Sequence, residues 1–174
     1  LVDGAVGRHL LRISETQLRR YVKGLARHPR KDFIRSAKNM SMLHEELLGL
    51  LYHLASTRQG RILEIGTYVG GSTAVMAKAA ADHGRAAIIS IEPGGRLDHD
   101  LIPSEDIFGD LQSNLARLNL QGHTKLLKGY SSSPDIIQSV KSILPSKTVG
   151  MLVIDADGNV ERDMNLYADL LMDG

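Results

Sequence analysis

Four short stretches of this 174-residue chain carry side chains able to do chemistry, and each follows an apolar run. Glu64-Ile65-Gly66-Thr67-Tyr68-Val69-Gly70-Gly71-Ser72 follows Arg61-Ile62-Leu63, and Glu92 closes the run Ala86 to Ile91. Gly129-Tyr130-Ser131-Ser132-Ser133 comes after Thr124 to Leu127, and Asp155-Ala156-Asp157 ends Val149 to Ile154. A carboxylate at the end of a buried strand, such as Glu64, is costly unless it has a partner. Glu92, at the end of the second strand, is placed to accept the hydroxyls of a ribose. The glycine turn is not the dinucleotide G-x-G-x-x-G signature, because Tyr occupies position 68 and Gly71 is extra. It also lacks the Gly-Lys-Ser/Thr of a P-loop. Phosphate is poorly received among Glu64, Glu92, Asp155 and Asp157. A cationic, ribose-bearing ligand without phosphates suits them.

Alternating elements must hold these groups. The sequence predicts strands at 61–65, 86–91, 124–127 and 149–154. Helices are predicted at Ser72 to Ala81, Ile107 to Leu118, Pro134 to Leu144 and Glu161 to Leu171. Almost wholly apolar strands alternating with helices mean an α/β fold with a doubly wound, Rossmann-like parallel sheet covered on both faces. Ligands of such sheets sit outside the carboxyl ends of the strands, where the four stretches lie. Residues 1–59 read as an N-terminal helical cap, and 60–174 as the ligand-binding domain. In the cap, Ser14 to Gln17 has capping-box spacing and opens a helix that Pro29 ends. A second helix follows Ser41, with an apolar stripe of Leu43, Leu47, Leu50, Leu51 and Leu54 and with Glu45 and Glu46 in its first turn.

Composition removes several classes of function. The chain has no cysteine, which excludes disulfides, Cys-bound zinc, iron–sulfur clusters and thiol nucleophiles. The longest apolar stretch, 47–55, falls short of the roughly 20 residues of a membrane span, so no membrane is expected and the expected setting is cytoplasmic. The net charge of +1 hides an imbalance: residues 8–38 hold ten Lys or Arg against two acids. Such a segment could meet nucleic acid, but only Tyr21 and Phe33 are interleaved with it, so a solvated face or subunit contact is favoured. The seven histidines show no metal-ligand spacing. Asp155-Ala156-Asp157-Gly158-Asn159 begins like a calcium loop, but Val160 and Leu166 stand where Gly and Glu are needed.

At these residues the chain resembles the class I S-adenosylmethionine-dependent methyltransferases. The likeness is to the small-molecule O-methyltransferase branch of catechol and caffeoyl-CoA type with its bacterial relatives, and it covers roughly residues 39–174. Glu64-x-Gly66-x-Tyr68-x-Gly70-x-Ser72 looks like that branch's first motif. The resemblance implies S-adenosylmethionine as cofactor, with Glu64, Gly66, Tyr68 and Ser72 toward its methionine end, Gly70 also among the cofactor-binding residues and Glu92 on its ribose. Met42 matches a position whose backbone approaches the cofactor. Gly129-Tyr130-Ser131-Ser132 resembles the loop edging the adenine, which assigns Ser131 and Ser132 there. Val153-Ile154-Asp155-Ala156-Asp157 looks like the fourth-strand motif. Its first Asp, here Asp155, contacts the cofactor end and binds Mg²⁺ in metal-dependent members.

The expected activity is methyl transfer to a hydroxyl of a small-molecule acceptor, with Mg²⁺ as a candidate second cofactor and Asp155 and Asp157 as candidate catalytic groups. Gly158 stands where related enzymes carry a Lys that can act as base, which leaves the base open. The alternative role for Asp157 is capping the last helix, and Asp163 reads as a solvated helix residue. Related metal sites take further ligands after a fifth strand. Only four strands can be counted here, so the sheet is expected to lack its C-terminal strands. A nicotinamide-dependent oxidoreductase on the same sheet is the enzyme alternative. A non-catalytic module engaging nucleic acid through residues 8–38 is the other. A homo-oligomer is a further expectation.

Overall fold

The computed structural model describes Gly24 and residues 27–173. Its elements in chain order are α1 (Lys31–Ala37), α2 (Glu45–Thr57), β1 (Arg61–Ile65), α3 (Gly71–Asp82), β2 (Ile88–Glu92), α4 (Ile107–Arg117), β3 (Thr124–Lys128), α5 (Pro134–Ile143), β4 (Val149–Ile154) and α6 (Val160–Tyr167). The strands form one sheet in the order β3-β2-β1-β4. All pairings are parallel, with Glu64 beside Ser90 on one side and Val153 on the other. This is the expected doubly wound α/β layer. No described helix is long and apolar enough to cross a membrane.

Strand side chains alternate between two faces, and each face has its own core. Leu63, Ile65, Ile89 and Ile91 pack against Ile136, Val140 and Leu144 at α5 and Tyr167 and Leu170 at and after α6. On the other face, Ile62, Ile88 and Met151 meet α1 to α4 through residues such as Ile34, Leu48, Met76 and Leu111. From Gly71 to Ala80 only Lys78 of α3 escapes burial. Its alanines let the helix lie close to both the sheet and the N-terminal helices.

Residues 31–57 therefore share a core with the sheet. The expected helix opening at Ser14 lies outside the described residues. The expected second helix is α2, with Glu45 and Glu46 in its first turn. A helix missing from the sequence reading is α1, followed by a 3₁₀ turn at Lys38–Met40. It has only seven residues, and burial of Ile34 and Ala37 holds it rather than a long apolar stripe. Three of the basic residues described here are engaged. Arg30 pairs with Asp82 at 2.7 Å, Arg35 with Glu45 at 3.3 Å, and the Lys38 ammonium donates to the Ser41 carbonyl.

Two contacts fix this cap to α3. Asp82 accepts hydrogen bonds from Lys78, the Tyr52 hydroxyl and Arg30. Burial opposes ionisation of Asp82, but these three donors overcome it and hold its carboxyl down at about 2. The second contact is at Gly71, where a Cβ would overlap Ser41 and lie 2.6 Å from the Met40 carbonyl oxygen and 2.9 Å from that of Ala37. Gly71→Ala should therefore cost about 1–3 kcal/mol by overpacking, although alanine is the better helix former. Urea unfolding would read this as a lower midpoint at unchanged slope; a midpoint at or above that of the wild type would contradict the close approach.

Candidate active site

A cavity of about 250 Å³ opens at the carboxyl ends of the strands. Its floor depends on a glycine. Gly66 has φ +83°, and a Cβ there would overlap the carbonyl of Asp155 and lie 2.9 Å from the Cα of Ala156. The turn after β1 thus lies against the turn after β4, and Asp155 N–H donates to the Ile65 carbonyl at 2.8 Å. A side chain at position 66 would separate them.

Glu92 organises the opposite wall. It is only 6% exposed. Its Oε2 accepts the backbone N–H groups of Thr67 at 3.0 Å and Tyr68 at 2.9 Å, and the Thr67 hydroxyl at 3.2 Å. Its Oε1 accepts Gly94 N–H at 2.9 Å and keeps acceptor capacity for a ligand. Tyr68 has φ +51°, a conformation costly for a bulky residue. The bond from its N–H to Glu92 and the bond from its hydroxyl to the Ile102 carbonyl hold it there.

The structure brings Met42, Gly66, Tyr68, Glu92, Ser131, Asp155 and Asp157 together on this cavity. Glu64, Gly70, Ser72 and Ser132 are not on its wall. Gly70 starts α3 and faces Leu111, where a Cβ would lie 2.7 Å from a methyl group. Ser132 is exposed. Ser72 donates to Glu64 at 2.6 Å, and Thr73 and Ser90 each donate to it at 2.8 Å. The expected contact of Glu64 with the methionine end thus gives way to a sealed carboxyl beneath the turn. Its side chain follows the alternation of β1 toward α3, where three hydroxyls meet it.

Arg162 was absent from the sequence expectations, as were the apolar wall residues Ile65, Ile91 and Pro93. The guanidinium bonds both oxygens of Asp157 at 2.9 and 3.1 Å and both of Asp163 at 3.0 and 3.1 Å. The bonds from Arg162 hold the Asp157 carboxyl below the usual range, and Asn159 N–H adds to the effect. Asp163 is fully buried, not solvated. The cap of α6 is Asn159, whose side chain accepts from Arg162 N–H, and not Asp157. His99, in the loop after β2, uses Nδ1 to accept N–H groups of Leu101 and Ile102 and so shapes its own loop.

Magnesium prefers octahedral oxygen ligation. Among the described residues no cluster of three or more His, Asp or Glu is placed to hold a metal ion. Asp155 offers one carboxylate, and its neighbour Asp157 is committed to Arg162. The described residues thus offer Mg²⁺ a single uncommitted carboxylate, and by themselves they do not support the expected metal role of Asp155.

Burial pushes the Glu64 carboxyl up to about 7; its three hydroxyl donors offset this only in part, and the charge of Asp155 adds to it. The folded chain therefore keeps a proton that the unfolded chain, with its ordinary value of 4.5, has released. The stabilisation is fully present below pH 4.5 and is lost as the pH rises through 7. Gln fits the same hydroxyls without titrating. Thermal unfolding of Glu64→Gln should thus lack the decline with pH seen across this window in the wild type; parallel profiles for the two would refute the protonation.

A family model described as a methyltransferase domain matches residues 63–174. No curated protein matches the sequence. Among solved structures, the O-methyltransferase TomG from Streptomyces achromogenes, in complex with SAM, aligns with a TM-score of 0.60 at 20% identity, over 94% of this chain and 65% of that one. An O-methyltransferase from Bacillus cereus in complex with SAH aligns with a TM-score of 0.58 at 21% identity, over 95% and 66%. The SAH-bound methyltransferase PaMTH1 of Podospora anserina aligns with a TM-score of 0.55 at 17% identity, over 92% and 59%. The chain thus spans less than two thirds of the length of these three, and the likeness is one of fold. With the family match covering the last three residues of β1, the other three strands and the turns that build the cavity, the chain belongs to the methyltransferase domain family.

Proposed function

We propose that this chain binds S-adenosylmethionine and transfers its methyl group to a hydroxyl oxygen of a small-molecule acceptor. The observation that carries the reading is the seat taken by Glu92. In dinucleotide-binding sheets, the amides after the first strand face a pyrophosphate. Here Thr67 and Tyr68 N–H already have an anion, the Glu92 carboxylate. A pyrophosphate would meet that charge, together with Asp155, and the one cavity cation among the described residues, Arg162, is shared between two aspartates. A sulfonium and an amino group meet favourable charge instead. SAM- and SAH-bound relatives of this fold and the family match support the same reading.

The residues fit such a ligand. Glu92 Oε1 retains capacity for ribose hydroxyls. Ile91, Pro93 and Tyr130 offer flat and apolar surface for a base. Asp155 lies at the opposite end, at the tip of β4. When bound, the cofactor supplies a methyl carbon already activated for in-line displacement. The chain's part is to exclude water, orient the acceptor and take up its proton. Of the two aspartates at the tip of β4, Asp155 is the base to expect. Asp157 is neutralised by the bidentate contact with Arg162, and a guanidinium cannot be deprotonated to serve instead.

Calorimetric titration should show binding of S-adenosylmethionine and S-adenosylhomocysteine and none of NAD; binding of NAD alone would overturn the proposal. Glu92→Ala should weaken S-adenosylhomocysteine binding by roughly tenfold or more, the worth of a lost hydrogen bond to a charged group. With an acceptor that the wild type methylates, Asp155→Asn should slow turnover by about 10²–10⁴ at saturating cofactor. Undiminished turnover would remove Asp155 from the chemistry.

A further inference from the structure

β3 and β4 lie at opposite edges of the four-stranded sheet. Their following turns must therefore reach toward each other across the ends of β2 and β1 to close one side of the cavity. What joins them is a chain of polar contacts centred on Arg162. Ser131, in the turn after β3, donates its hydroxyl to Asp163 at 2.7 Å and accepts from Arg162 at 3.3 Å. Its carbonyl accepts the Tyr167 hydroxyl at 2.6 Å. Arg162 carries the connection on to Asp157, in the turn after β4, through two bonds. Asp157 in turn accepts Asn159 N–H at 3.1 Å.

We propose that Arg162 is a positioning residue for cofactor binding, acting through Ser131 and Asp157; this rests on the methyltransferase reading above. The planar fork is what the geometry requires. One guanidinium addresses two carboxylates and a hydroxyl in fixed directions, which an ammonium cannot do. The three groups come from α6 and from both outer turns. Arg162 is thereby the side chain that bonds both Ser131 and Asp157, on the two sides of the cavity. Arg162 also neutralises Asp163, which is fully buried. A positioning role and a purely structural one must therefore be separated.

The test measures S-adenosylhomocysteine affinity by calorimetry, well below each variant's own unfolding temperature. Arg162→Lys keeps the charge and loses the fork, and should weaken binding about tenfold, the scale of effect expected from a misplaced binding group. Arg162→Ala combined with Asp163→Asn removes the fork and the buried charge together. It should recover unfolding temperature relative to Arg162→Ala alone, yet leave the affinity weakened. A loss of about threefold or less in Arg162→Lys would overturn the proposal, as would wild-type affinity in the double variant, since Arg162 would then only offset Asp163. If the wild type itself binds neither S-adenosylmethionine nor S-adenosylhomocysteine, the methyltransferase reading falls and takes this inference with it.

Discussion

Two of the places where main chain meets main chain shape the site. At Gly66 the turn leaving β1 rests on the carbonyl of Asp155. At Gly71 the first turn of α3 rests on Met40 and Ser41. The first contact joins the ends of two neighbouring strands into one cavity floor. The second brings the N-terminal helices to the mouth, so that Met42 reaches the cavity wall. Neither approach leaves room for a Cβ. The glycine-rich turn thus serves packing, and its free amides are satisfied by Glu92 rather than by a ligand's phosphate.

Charge is handled in four ways at and near the ends of the strands. Glu64 is removed from water and met by hydroxyls alone, so it tends to keep its proton. Glu92 is buried but met by backbone N–H groups. Asp157 and Asp163 share one guanidinium. Asp155 is left exposed on the cavity wall. One sequence feature, acids at strand ends, thereby becomes a structural carboxyl, an anchor for backbone amides, a tied pair and a free carboxylate.

How far the sequence shows this depends on whether a residue's role is local. β1 and β4 could be read to the residue, because short apolar runs between turn residues permit little else. Glu92 and Asp155 were placed because strand ends are where such sheets bind ligands. Glu64 belongs to the same pattern, but its position under the turn depends on which face of β1 looks toward α3, and Ser90 meets it across a strand pairing that a linear pattern does not contain. Arg162 carries no local signal at all. It is one charged residue in a polar helical turn, and its partners lie up to 31 residues away. Asp163 misled for a related reason, since a charged helix residue is usually solvated and only the turn after β3 makes it otherwise. The helix at Lys31–Ala37 was hidden by its shortness and its basic face.

The burial of α3 has a bearing on mutational tolerance. A helix with one wet face accepts drift along that face while its core positions stay fixed. Nine of the ten residues from Gly71 to Ala80 are buried, so this helix has almost no such face. Larger side chains would push against either the sheet or the N-terminal helices, and buried polar ones would need partners such as the one Glu64 gives Ser72 and Thr73. Sequence divergence has little room here beyond exchanges among small residues. The run of alanines is the trace of confinement from both sides.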